Sequence, residues 1–340
     1  MNNNPLVYTP IEASTAGEEY VDFRRSHAGS GMPLYIPSME YKVVNGEEKG
    51  FVPLMPGETC SIIARPGHTK TGMMLRWARE RAKDLSARAE AGDELAAKSV
   101  VVVVSLEQKV EELRLFHVAA EERISMSQMV NGGADVNWDG VTRGLRKLHP
   151  VPIWFIGRSM KRRKLKADMS EANVYSALES IERWQDENPT QVIDSVFYDY
   201  LQKFRPPSHS GMVEYYGNLM NTLWTWGSDF MTRNVVGVQA KREVDTRDTP
   251  IPLMDDGQWS STIEQFSDAV LSLVRPCLYP PTKKWDVEIS GKQQLLVSCS
   301  KRKLGPANFN SWVYFDPKYN SLNDTEIKEY NFRVSKGLDE

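Results

Sequence analysis

Cysteine is scarce in this chain: Cys60, Cys277 and Cys299 are the only three in 340 residues, and they lie far apart. An odd, scattered set excludes a disulfide framework and a cysteine-based zinc site, and points to a reducing compartment. The five histidines show no metal-ligand spacing. Charge of one sign is missing too. With 42 basic and 45 acidic residues the net charge is −3, so no global basic face exists to coat nucleic acid. Any such contact must come from local loops. The longest apolar run, Val100–Val104, is far too short to span a bilayer. The start, Met1-Asn-Asn-Asn-Pro5, lacks the basic and then apolar run of a secretory leader, so a cytoplasmic location without a membrane partner is expected. Internal repeats and low-complexity segments are absent.

What remains is the composition of an ordinary globular protein, 41% apolar and 26% charged. The length suits one large α/β domain or two smaller ones. Residues 1–50 read as an irregular polar arm with one short helix around Glu18–His27. Residues 51–320 read as a single α/β domain and 321–340 as a tail. Strands are expected at Thr59–Ala64, Ser99–Ser105, Pro152–Ile156, Ser195–Tyr198, Val235–Gln239, Ala269–Val274 and Gln294–Ser300. Helices are expected at Thr71–Ala91, Lys109–Ser125, Ser170–Glu187 and Met212–Thr232, with a short one near Ser261–Phe266. Strands that are apolar at every position, separated by helices of this length, predict a doubly wound, mostly parallel sheet with helices on both faces. After Phe266 the pattern turns to consecutive strands, joined by a hairpin-like insert at Tyr279–Gln293. Trp224 and Trp226 lie in an apolar helical stretch and are expected in the core.

The first chemical signal follows the first of these strands: Cys60-Ser-Ile-Ile-Ala-Arg-Pro-Gly-His-Thr-Lys-Thr71. A strand enters a turn-forming loop that ends in Lys70-Thr71 before a helix, the layout of a phosphate-binding loop. In such a loop backbone N–H groups wrap a phosphate, a lysine reaches the β/γ oxygens, and a hydroxyl holds Mg²⁺. The helix N-terminus adds partial positive charge. Ala64 and Thr69 stand where the usual G-x-x-x-x-G-K-[ST] spacing has glycines. A β-branched residue fits poorly where positive φ is needed. A plain strand–turn–helix corner, with Lys70 and Thr71 on a solvated helix start, is the other reading of the loop alone.

Four more positions sit at strand ends. Glu107 follows the second strand, where a carboxylate can polarise an attacking water; equally it fits the N-terminus of the next helix. Asp199 ends Ser195-Val-Phe-Tyr-Asp199-Tyr-Leu-Gln202, where it can orient Mg²⁺ through water or simply end the strand. Gln239 ends the next strand, and Lys301-Arg-Lys-Leu-Gly-Pro306 follows a late one. On their own these last two read as structural and as a solvated turn.

Taken in order, these pieces resemble the ATPase domain of the DnaB family of replicative helicases, a RecA-like P-loop NTPase fold, over about residues 29–317. The family's A-R-P-S-M-G-K-T is Ala64-Arg65-Pro66-Gly67-His68-Thr69-Lys70-Thr71, and its F-S-L-E-M is Val104-Ser-Leu-Glu-Gln108. Its D-Y-L-Q is matched by Asp199-Tyr-Leu-Gln202, and its S-Q-x-x-R by Val238-Gln-Ala-Lys-Arg242. Its I-E-Q-x-A-D is Ile263-Glu-Gln-Phe-Ser-Asp268, and its K-x-R-x-G-P is Lys301-Arg-Lys-Leu-Gly-Pro306, followed by Phe315-Asp-Pro317. The resemblance implies ATP bound with Mg²⁺ across the loop of residues 64–71. Lys70 would bind the β/γ-phosphates, Thr71 and Asp199 the metal, Glu107 the attacking water, and Gln239 the γ-phosphate. Lys301 and Lys303 would reach a neighbouring subunit's site, which requires a ring or filament, expected here as a hexamer. Single-stranded DNA and a primase or loader are the implied partners. DNA would be held by the loop Gln258-Trp259-Ser260-Ser261, where the family carries R-E-S-G, and by Lys203, Arg205, Lys241, Arg242 and Arg247.

The departures predict a slow enzyme. Thr69 replaces a glycine, and Lys303 replaces the finger arginine and loses its bidentate grip. Phe116 stands where an arginine is common, with Arg114 and His117 nearby. Lys161-Arg-Arg-Lys-Leu-Lys166 is the densest basic cluster, a solvated loop or a nucleic-acid contact. Only some 50 residues precede the core, which reads as a version trimmed of the family's N-terminal helical domain, with residues 8–30 docking on the adjacent subunit.

Overall fold

The structure, a computed structural model, describes residues 9–26, 29–133, 135–160, 174–204, 211–257, 260–285 and 294–323. By its contacts the chain divides into two units, Met1–Met32 and Pro33–Glu340, so the division falls earlier than residue 50. In the first unit helix α1 spans Pro10–Ser26, starting well before the helix expected around Glu18–His27. The reason is local. Thr9 and Glu12 form a reciprocal cap, with Thr9 N–H donating to Glu12 Oε2 (2.6 Å) and Glu12 N–H to Thr9 Oγ1 (3.3 Å). Pro10 supplies the φ preset for the first turn.

In the second unit, β1 (Lys42–Val44) and β2 (Glu47–Lys49) form a hairpin where an irregular arm was expected. Its turn is Asn45-Gly46, with φ of 54° and 82°, the pairing that matches strand twist. The main sheet then alternates with helices: β3 (Thr59–Ala64), α2 (Lys70–Glu90), α3 (Glu94–Lys98), β4 (Ser99–Ser105), α4 (Val110–Glu122), α5 (Met126–Asn131), α6 (Trp138–Lys147), β5 (Ile153–Gly157), α7 (Val174–Glu187), β6 (Val192–Asp199), α8 (Met212–Asp229), β7 (Arg233–Gln239), α9 (Ser260–Gln265) and β8 (Ala269–Val274). Three strands close the series: β9 (Gln294–Arg302), β10 (Phe309–Asp316) and β11 (Ser321–Asn323).

These nine strands form one sheet in the order β11-β10-β9-β8-β3-β7-β6-β4-β5. The six from β8 to β5 are parallel, and β9, β10 and β11 are added antiparallel at one edge. Every residue of β3, β4 and β8 is buried, as strands covered on both faces require. On one face Ile63, Val102, Val104, Val196 and Val236 pack against Leu178 and Ile181 of α7 and Leu219 and Leu223 of α8. On the other, Trp77 of α2 meets Phe197 edge-on at 5.9 Å. This is the doubly wound α/β arrangement, with β3 central and its C-terminal end opening on the loop before α2. Trp226 is in the core, while Trp224 is half-buried against Phe266. Among the described residues no helix is long and apolar enough to cross a membrane. The basic cluster at 161–166 lies outside the described residues.

Candidate nucleotide-binding site

The loop between β3 and α2 has the backbone its sequence demands. Ala64 is still in extended strand, paired with Gln239 and Leu273, so a Cβ is tolerated where the usual pattern has its first glycine. Gly67 has φ 82°. Thr69 is the N-cap of α2 at φ 68°, ψ 19°, the left-handed region, and its side chain makes no capping bond. A β-branched residue is held here against its preference, at a cost of about 1–2 kcal/mol. Thr69→Gly is therefore expected to raise unfolding free energy by about 1 kcal/mol, read from denaturant midpoints. No gain would mean that the threonine makes a compensating contact.

Lys70 and Thr71 begin α2 and face the ends of β4, β6 and β7. Thr71 Oγ1 lies 3.1 and 2.9 Å from the two carboxylate oxygens of buried Asp199, to which it donates. Lys70 Nζ rests 3.8 Å from the centre of the Tyr200 ring. Burial lowers the Lys70 ammonium to about 8, although Asp199 and Glu107 favour its charge. Burial likewise raises the Asp199 carboxyl, with Lys70 and Thr71 opposing. Glu107, just past β4, is part-exposed and 3.9 Å from Lys203 Nζ. The Gln239 backbone N–H donates to Gln202 Oε1 at 3.1 Å. Lys70, Thr71, Glu107 and Gln239 line a cavity of about 330 Å³, to which Asp199 is joined through Thr71. Residues 65–67 and 69, Phe116, Tyr200, Phe315, Pro317 and Asn320 also line it, with Asn320 Nδ2 donating to Gly72 O at 3.4 Å.

A belt of polar contacts fixes the loop from below. Arg65 Nε donates to Asp245 Oδ2 (2.9 Å), and Tyr279 Oη donates to Asp245 Oδ1 (2.9 Å). The Tyr279 and His68 rings lie 5.3 Å apart, and the Arg275 N–H donates to His68 Nδ1 (2.9 Å). Burial keeps His68 neutral, near 4, so it serves as an acceptor. His68 is thus a buried strut and is absent from the cavity lining. Tyr200, Asp245, Tyr279 and Asn320 were not anticipated. Asn320 carried the only hint, being a residue that tolerates left-handed backbone, and it has φ 48°. Phe116 does occupy the cavity wall, whereas Arg114 points its Nη2 at Leu148 O (3.0 Å), away from it.

The remaining expected residues scatter. Lys203, read as a DNA contact, sits beside Glu107 and the Tyr200 ring. Lys241 Nζ donates to Asp255 O (3.1 Å), Arg242 is exposed, and Arg247 is paired with Asp256. Arg205, Gln258 and Trp259 lie outside the described residues, and the backbone of Ser260 and Ser261 opens α9. Lys301 and Lys303 stand at the other end of the sheet from the cavity. Lys301 is paired with Val270 at the start of β8, and Lys303 Nζ is 3.3 Å from Asp268.

The profile of the DnaB-like helicase C-terminal domain family matches residues 49–324. The chain belongs to this family. The replicative DNA helicase DnaB of Mycoplasma genitalium is 22% identical over 244 residues, covering 68% of this chain and 47% of that protein. The corresponding helicase of Mycoplasma pneumoniae is 22% identical over 299 residues, covering 85% and 58%. This DnaB-like chain therefore spans about half the length of the curated relatives it matches. Two solved structures share the fold. One, an isolated ATPase domain, superposes with a TM-score of 0.68 at 17% identity, covering 91% of this chain and 98% of that one. A DnaB-like replicative helicase, described with its interactions with primase, gives 0.64 at 18% identity, covering 79% and 57%.

Proposed function

We propose that this DnaB-like chain is an ATP-dependent, ring-forming helicase that moves on single-stranded DNA. The observation that supports it most is the convergence of Lys70, Thr71 and Glu107 on one cavity at the C-terminal edge of the sheet, with Asp199 bonded to Thr71. The hydroxyl of Thr71 and the carboxylate of Asp199 are oxygen donors of the kind Mg²⁺ takes. Bound there, the ion would neutralise charge on the β/γ-phosphates. The loop N–H groups and Lys70 would hold the triphosphate. Glu107 would take a proton from the water that attacks the γ-phosphorus, and Gln239 would contact the γ-phosphate.

Lys70 gives the reading a pH signature. Burial holds its ammonium down to about 8, and triphosphate oxygens would favour the charged form. Nucleotide binding then takes up a proton above pH 8 but not below. The affinity is expected to be flat up to about pH 8 and to fall toward tenfold per unit beyond it. Nucleotide titrations between pH 7 and 9.5 measure this, and an affinity unchanged across the range would refute it.

The overall activity is tested by strand displacement on a forked duplex with ATP. Displacement supports the helicase. Turnover stimulated by single strands without displacement would make the chain a non-unwinding ATPase of the same fold. The ring would be a hexamer, with α1 as the segment docking on the next copy and a primase or loader as partner. Deleting residues 8–30 is expected to leave monomers in sedimentation, and an intact ring after the deletion would remove α1 from that role.

A further inference from the structure

Helix α4 has a second cavity on its other side. It runs along the β5 edge of the sheet, from Lys98–Val100 at the start of β4 to Val110, whose N–H meets Arg158 O just past β5, and it shares no lining residue with the nucleotide cavity. Its volume of about 540 Å³ exceeds the 330 Å³ of the nucleotide cavity. Three cationic or protonatable side chains line it, Lys98, Arg114 and His149, and no carboxylate is among its described lining residues. Arg114 is the informative one. Its Nη2 donates to Leu148 O at 3.0 Å, but its Nη1 is shielded from solvent and has no acceptor among the described residues. Burial alone lowers its affinity for a proton, with no neighbouring acid to offset the loss. A shielded guanidinium N–H group without an acceptor is costly, and an anion in the cavity would remove that cost.

We propose that this cavity is a second anion site, taking the phosphoryl group of a nucleotide-sized phosphate ester. Two cations, Lys98 and Arg114, with an imidazole N–H donor beside them, match a phosphate, which carries up to two negative charges, better than a single carboxylate. The size suits a nucleotide, and one ring stands in the wall: Phe155 lines the cavity beneath the Arg114 guanidinium, 5.2 Å from its centroid. Arg114 would donate Nη1 to a phosphate oxygen, with Lys98 and His149 closing the mouth.

Equilibrium dialysis of the full chain against labelled ADP with Mg²⁺ tests this. Two molecules per chain are expected for the wild type, one for Lys70→Ala, one for Lys98→Gln/Arg114→Gln, and none when all three changes are combined. In Lys70→Ala, pyrophosphate should displace the remaining ADP if the phosphoryl group is what is recognised; displacement by adenosine instead would overturn that assignment. Arg114 also supports Leu148, so the exposed pair Lys98→Gln/His149→Gln is measured in the Lys70→Ala background as a control for folding. ADP should bind about tenfold more weakly there. The proposal fails if Lys70→Ala binds neither ADP nor pyrophosphate, or if its binding is indifferent to both cation-removing pairs. Should Lys70→Ala keep two sites while Lys98→Gln/Arg114→Gln loses one, the second site stands and the reading of the first fails.

Discussion

Glu107→Gln is expected to slow phosphate release about a thousandfold while ATP still binds. The carboxylate stands just past the last residue of β4, part-exposed at the mouth of the cavity, and only Lys203 lies near it as an ion partner among the described residues. Glutamine keeps its length and its hydrogen-bonding atoms but cannot accept the proton that an attacking water gives up. In the proposed function binding would rest on Lys70, Thr71 and the loop backbone, which the substitution leaves alone. Single-turnover phosphate release, set beside nucleotide titration, separates the two effects. Equal release by wild type and variant would leave a nucleotide-binding scaffold with background hydrolysis.

The second large effect concerns Lys301 and Lys303. Their end of β9 pairs with the beginning of β8, and the beginning of β8 pairs with the beginning of β3. The phosphate loop starts where β3 finishes, roughly 15 Å further on. No lysine side chain covers that distance, so these two cannot serve the cavity of their own chain. If they serve a neighbour's, Lys301→Ala/Lys303→Ala should cut turnover about a hundredfold, less than loss of an arginine finger, because an ammonium offers a point charge without a fork. Mixing this variant with Glu107→Gln should restore part of the rate. In mixed rings some interfaces then combine an intact Glu107 with intact lysines from the next copy. A mixture no faster than either variant alone would remove the lysines from catalysis.

Much of this was readable from residue order. Thr59–Ala64, Ser99–Ser105 and Ala269–Val274 have the expected bounds, because continuous apolar runs between breakers have one stable use in a sheet covered on both faces. Elements were missed where that signal is weak. Helices α5 and α6 are short, α6 is interrupted by Gly140 and Gly144, and β10 is buried continuously only over Ser311–Val313. Helix α4 ends at Glu122 rather than Ser125, because Arg123 adopts left-handed backbone at φ 54°. Helix α8 ends at Asp229 rather than Thr232, whose hydroxyl reaches across to Ile193 O at 3.1 Å. In the site, the strand-end residues were legible because their chemistry is written in their type. Tyr200 and Asn320 were not, since a ring under an ammonium and an amide beside Gly72 exist only once distant segments meet. The loop cations Lys203, Lys241 and Arg247 were visible as charges, but whether each faced solvent or a protein partner was not.

The polar belt beneath the phosphate loop carries one mechanical implication. Asp245 is clasped at once by Arg65, from that loop, and by Tyr279, from the segment after β8. It belongs to the same single turn, Arg242–Thr246, that begins with one of the exposed cations beyond β7. A shift of Arg65 pulls on that turn directly, through two heavy-atom contacts and no intervening solvent. The loop before α2 and the turn beyond β7 are thus anchored to one shared carboxylate, so a displacement of either is felt by the other.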